Sequence, residues 1–180
     1  MFCLNEKVVY PGHGVANVNK LVKKMVAGQE AAFYELVFLS KDASVLVPMN
    51  NAEAIGIRQL SSEQYIQEMF KVLALPARQL NYYEFTASNW NKRNKEYQNK
   101  LRTGSLKDLI EIYRDLRHIS TQKELSFGEK NLLAQTEALL VEEISIVQQR
   151  GPEKILEQLR MICSMQIHHS QKNSTEETVY

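Results

Sequence analysis

Long hydrophobic runs are missing from this 180-residue chain. None of its apolar stretches approaches the roughly 20 residues that a membrane-spanning helix needs. Met1-Phe2-Cys3-Leu4-Asn5-Glu6-Lys7 lacks the basic-then-apolar layout of a secretory leader. Together these absences predict a cytoplasmic protein. Cysteine is scarce: Cys3 and Cys163 stand near opposite ends, form neither a metal-type pair nor a disulfide framework, and are expected to be reduced and structurally minor. Neither a GxxxxGKS/T nor a GxGxxG loop occurs, so the Pro11-Gly12-His13-Gly14 cluster is no phosphate cradle. His13 has no nearby Ser, Cys or acid to complete a triad and reads as a turn residue. His168 and His169 are adjacent, which puts them about 100° apart on a helix. A shared metal would need i, i+4 spacing. No catalytic residue, metal or cofactor is therefore expected. Charge of one sign is lacking too. The net charge is +1, so any nucleic-acid contact has to come from a local patch.

What is present falls into two halves with different periods. Before Leu60, short apolar runs alternate with turn signals: Lys7 to Tyr10, Val15 to Val22, Ala32 to Leu39, Ser44 to Pro48 and Ala54 to Arg58, with Gly28 marking a turn. Such punctuation predicts short strands in a small barrel or a strongly bent sheet. After Leu60 the period is helical. Ser61 with Gln64 resembles a capping box for a helix ended by Pro76. Ala77 to Ser88 reads as a connection, and Asn89 as the cap of a helix running to about Arg102. Ser105 opens a helix with Leu106, Leu109, Ile110 and Tyr113 on one face, and Ser126 with Glu129 forms a capping box for a long helix. Gly151-Pro152 separates a last helix, and the polar tail from about Ser170 is expected to be disordered. The expected organisation is a β-domain over 1–60, a helix and connection over 61–88, a helical domain over 89–169 and a tail over 170–180.

The sharpest local feature is the single tryptophan, Trp90, beside Lys92, Arg93 and Lys95. Lys92, Arg93, Lys95, Lys100 and Arg102 face one acid, Glu96, over this segment. Trp90, Tyr97 and Leu101 share a line of the helix, and the basic residues fall off it. One reading makes Trp90 core and the cations a solvated face. The other uses its place in the first turn, where a side chain projects past the helix end and free N–H groups suit phosphate. An apolar wedge beside cations is how minor-groove proteins hold unstacked DNA.

Val8-Val9-Tyr10-Pro11-Gly12-His13-Gly14-Val15, Val47-Pro48, Ala52 and Ala54-Ile55-Gly56-Ile57-Arg58 resemble the RNA-polymerase-interacting domain of the CarD/CdnL family. That domain also occurs in transcription-repair coupling factor, whose helicase motifs are absent from this chain. Trp90 with Lys92, Arg93 and Lys95 resembles the family's DNA-contacting helix, and Arg114-Asp115-Leu116 and Leu125-Ser126-Phe127-Gly128-Glu129-Lys130 resemble its later signatures. The likeness covers roughly residues 3 to 148. It implies an α+β protein: a small Tudor-like β-barrel followed by an all-α domain. It implies binding to the β subunit of RNA polymerase by strand addition, with Lys24, Val45, Leu46 and Val47 at the interface. Leu46 stands where well-known members have arginine. It further implies that Trp90 wedges into the minor groove at the upstream edge of the transcription bubble, with Lys92, Arg93 and Lys95 on the DNA backbone. The expected output is a stabilised promoter open complex, largely independent of DNA sequence, produced by a monomer that is neither an enzyme nor a membrane protein. A pure adaptor linking polymerase to another protein, without DNA contact, is the alternative.

Overall fold

A computed structural model describes residues 1–77 and 87–176, including side chains except at 87–89 and 166–176. Most of the expected connection, 78–86, lies outside the described residues.

The first half is an antiparallel sheet. Its strands are β1 (Lys7–Tyr10), β2 (Gly14–Val26), β3 (Gln29–Phe38), β4 (Ser44–Pro48) and β5 (Arg58–Gln59), in the order β4-β3-β2-β1-β5. β2 and β3 meet through Ala27-Gly28, both at positive φ (50° and 81°), as a two-residue turn matching the strand twist requires. Cross-strand pairing sorts the side chains by face. Tyr34 opposite Val47 and Leu36 opposite Val45 point inward, to a core with Val8, Ala16, Val18, Ala52 and Ile57. Glu35 opposite Leu46, and Lys24 opposite Ala31, share the outer face. The buried Tyr34 hydroxyl is satisfied by the Phe2 amide at 3.0 Å.

Two sequence expectations are corrected here. The sheet is not a closed barrel, because β4 and β5 are its two edges and do not pair with each other. The run Ala54 to Arg58 is not a full strand either. A 3-10 turn at Met49–Asn51 leads into further turns, held by Ile55 N–H to Asn51 and Ile57 N–H to Ala52, and only Arg58–Gln59 pairs with β1. Those turns carry the chain from one sheet edge to the other.

The second half is helical: α1 (Glu63–Leu73), α2 (Ala87–Thr103), α3 (Leu106–Gln122), α4 (Phe127–Gln148) and α5 (Pro152–Glu176). Ser62, not Ser61, caps α1, its hydroxyl accepting from the Tyr65 amide at 3.1 Å. α2 begins at Ala87, so Asn89 lies inside the first turn rather than at the cap. Ser105 and the Ser126–Glu129 capping box start α3 and α4 as the residues predict. α5 continues to Glu176 through the segment expected to be disordered. Extending a packed helix needs no new nucleus, and Gln171 and Lys172 are good helix formers. The apolar stripes meet in a core that includes Ile66, Leu73, Ile110, Tyr113, Leu116, Leu140, Ile144, Ile155 and Leu159.

Candidate functional sites

The buried line of α4 runs Glu129, Leu132, Thr136, Leu140, Glu143 and Ile144. It carries a glutamate near each end. A carboxylate that loses water needs cationic or N–H partners, and each of these two receives an arginine from another element.

Glu129 is 1% exposed and serves α2. Arg93 Nη2 donates to its Oε1 at 3.2 Å, while Lys123 Nζ at 2.6 Å and the Ser126 amide at 2.8 Å donate to Oε2. Burial pushes this carboxyl up, but the Lys123 ammonium and the Ser126 donors outweigh it and hold it below the usual range. The Arg93 guanidinium carbon stands 5.9 Å from the Trp90 ring centroid. The indole lies against Gly128, where an added Cβ would sit 3.3 Å from Cζ2 and 3.6 Å from Nε1. Trp90 is therefore seated by Arg93 and Gly128, half-buried against the helical core.

The basic cluster divides. Arg93 is 7% exposed and faces Glu129, so it does not offer the solvent-side charge expected of it. Lys100 pairs with Glu111 at 2.9 Å. Lys92 and Lys95 are exposed, and so is Arg102; none of the three makes an ion pair among the described residues. At 3.6 residues per turn these three cations fall within about 80° of one another and span about 15 Å of α2. They form a phosphate-sized stripe that includes Arg102 and omits Arg93. Spacing held the signal: Arg93 is i+3 from Trp90, on the flank of the core line.

On the sheet, Lys24 is exposed and Leu46 half-buried, both on the outer face, while Val45 and Val47 point inward. Val47 is 2% exposed. β4 is an edge strand, paired only with β3. Its backbone is the part left to offer, and its inward valines fix the strand to the core.

Glu143, also 1% exposed, ties the sheet to the helices. Arg58 of β5 donates to it twice, Nη1 to Oε1 at 2.7 Å and Nη2 to Oε2 at 2.8 Å, and the Ser61 amide adds 2.9 Å. Arg58 Nε reaches the Gly104 carbonyl at 2.8 Å, between α2 and α3. Pro11 packs on Gly104, where a Cβ would lie 2.8 Å from its ring. The neighbouring Glu142 carboxylate sits against Gly14 and Val15 of β2, and burial pushes its proton affinity up. None of these contacts was foreseen from sequence.

Phe127, beside Gly128, is 80% exposed and was also not singled out. His13 packs edge-on to Tyr10 at 5.1 Å, in keeping with a turn role. Cys163 is buried and its thiol is pushed up to about 11 by burial, which makes it a poor nucleophile. Arg114 of the Arg114-Asp115-Leu116 signature donates to the Val72 carbonyl of α1 at 3.1 Å and stands 3.8 Å from Asp115. The side chains of His168 and His169 lie outside the described residues. Among the described residues no helix is long and apolar enough to cross a membrane, and no group of His, Cys, Asp or Glu is placed to hold a metal.

Comparison with known proteins covers both halves. Residues 2–61 match the CarD-like/TRCF RID domain, and residues 70–160 match the C-terminal domain of CarD. A candidate transcription factor of Bacillus subtilis (strain 168), YdeB, is 22% identical over 151 residues, covering 82% of this chain and 92% of its own. The solution NMR structure of the 72-residue N-terminal domain of Myxococcus xanthus CarD is 36% identical, over 33% of this chain and 79% of that one, at a TM-score of 0.29.

Proposed function

Because this chain belongs to the CarD-like family of transcription factors, and begins with an RNA-polymerase-interacting domain, we propose that it docks on the polymerase β subunit through its sheet and stabilises the promoter open complex through α2. The observation that carries the DNA half of this reading is the state of Trp90. The indole is held in place yet half-open, beside Lys92 and Lys95, which are exposed and make no ion pair among the described residues.

The sheet supplies attachment. β4 can accept a further strand, which satisfies backbone groups with little dependence on side chains; Leu46 of β4 and Lys24 of β2, two strands in, lie on the outer face. The helices supply selectivity for the open state. Trp90 fills a distorted step at the upstream bubble edge, and Lys92, Lys95 and Arg102 neutralise phosphates without reading bases. Tethering to polymerase raises the local concentration, so a chain of net charge +1 needs little DNA affinity of its own. Contacts made only with open DNA shift the closed–open equilibrium, about tenfold for each 1.4 kcal/mol of differential binding.

The test is the lifetime of promoter open complexes with polymerase from the same source. Wild-type protein should lengthen it, and Trp90→Ala should remove most of that effect while still binding polymerase. Equal lifetimes for Trp90→Ala and wild type would sink the wedge. No effect of the wild type, despite confirmed polymerase binding, would favour an adaptor without DNA contact.

A further inference from the structure

We infer that the Arg93–Glu129 ion pair is a positioning device for Trp90, fixing the face its indole presents before DNA arrives. The inference rests on the reading of Trp90 as the DNA wedge.

The capping role of Glu129 explains only part of its surroundings. A capping box needs the Ser126 hydroxyl, the Glu129 side chain and two backbone amides. Here the same carboxylate also takes Lys123 at 2.6 Å and Arg93 at 3.2 Å. Arg93 pairs inward while Lys92 and Lys95 of the same turn stay in solvent, so one of the cluster's two arginines, a bidentate phosphate ligand, is withdrawn from DNA. Its guanidinium instead borders the indole, 5.9 Å from the ring centroid. Gly128 forms another wall, with the position of a missing Cβ 3.3 Å from Cζ2. The residue that narrows one wall and the residue that anchors the other are neighbours, Gly128 and Glu129, at the start of α4. Motion of the indole is thus restricted by groups from α2 and α4 together.

Holding the ring beforehand removes an ordering cost that DNA binding would otherwise meet. For one immobilised side chain that amounts to roughly two- to tenfold in the stability of the bound state.

Glu129→Gln separates this role from capping, because glutamine also serves at that position of a capping box. The chain has one tryptophan, so its fluorescence reports on Trp90 alone. In folded Glu129→Gln the emission should move to the red and acrylamide quenching should rise. The open-complex lifetime should fall roughly two- to tenfold. Arg93→Met, which keeps length and loses charge, should do the same and serves if the first variant does not fold. Unchanged emission and quenching in either folded variant would overturn the seat. A shifted emission with an unchanged lifetime would overturn its link to DNA. The wedge itself is decided separately, by Trp90→Ala.

Discussion

Removing Arg58 should loosen the junction between sheet and helices. Arg58→Met leaves a similar stem and no charge. Glu143, 1% exposed, then keeps one hydrogen bond, from the Ser61 amide, of the three it now receives. Breaking a buried pair from one side costs about 3–5 kcal/mol. The Arg58 side chain is 26% exposed, so water can partly replace it, and the low end, about 3 kcal/mol, is the right expectation. That corresponds to about a hundredfold in the folded ratio. For a chain of this length it is a fall of about 6–12 °C in melting temperature.

Urea unfolding followed by circular dichroism checks the magnitude, and hydrogen exchange checks the place. Protection should drop first at Ser61 and across the turn at Gly104, whose carbonyl loses its Arg58 donor. The double variant Arg58→Met with Glu143→Gln should recover part of the loss, because it no longer buries an unpaired charge. A stability for Arg58→Met within about 0.5 kcal/mol of wild type, the range of an ordinary surface change, would refute the argument.

Three further outcomes follow from other sites. Lys92→Ala and Arg102→Ala should each lower the slope of log affinity against log salt by about 0.9, measured on bubble-containing promoter DNA with polymerase, whereas Arg93→Ala should leave that slope unchanged. Leu46→Glu, placed opposite Glu35 on the outer face, should weaken polymerase capture while shifting melting little; undiminished capture would remove Leu46 from the interface. Burial raises the Glu142 carboxyl above the ordinary glutamate value of 4.5, so the folded state holds that proton more tightly than the unfolded chain. Its favourable contribution is complete below pH 4.5 and is lost as pH rises through the folded value, the reverse of Glu129, whose lowered carboxyl loses its contribution on acidification. Between pH 4.5 and neutrality, wild type should therefore lose melting temperature relative to Glu142→Gln, and parallel curves would refute this.

What could be read in the sequence was what neighbouring residues encode. Lys7–Tyr10 and Ser44–Pro48 are strands with the expected bounds, and the Ser105 and Ser126 caps sit where the hydroxyls stand three residues before a helical amide. The misreadings are of groups whose partners lie far along the chain. Arg93 reads as one of five cations until Glu129, 36 residues away, draws it inward. Arg58 reads as the end of a strand until Glu143, 85 residues on, defines it. Spacing offered a clue in both cases. Glu129 and Glu143 fall on the apolar line of α4 with Leu132 and Leu140, and an acid on such a line calls for a cation from elsewhere. The choice between a barrel and an open bent sheet stayed undecided for a related reason: whether β4 and β5 meet depends on the turns at 49–57, not on either strand.

The way β5 is tied down also bears on stoichiometry. A sheet with two free edges can accept a strand on each side and so propagate from molecule to molecule, the route to fibres. In this chain β5 is two residues long and its Arg58 is engaged with Gly104 and Glu143 of the helical half. The opposite edge, β4, ends in Pro48, which has no N–H to donate. The β5 edge is thus short and tied to the helices, and the five-residue β4 edge is closed at its end by a proline. If a foreign strand is added to this sheet, β4 is the edge that takes it, and propagation through β5 is disfavoured.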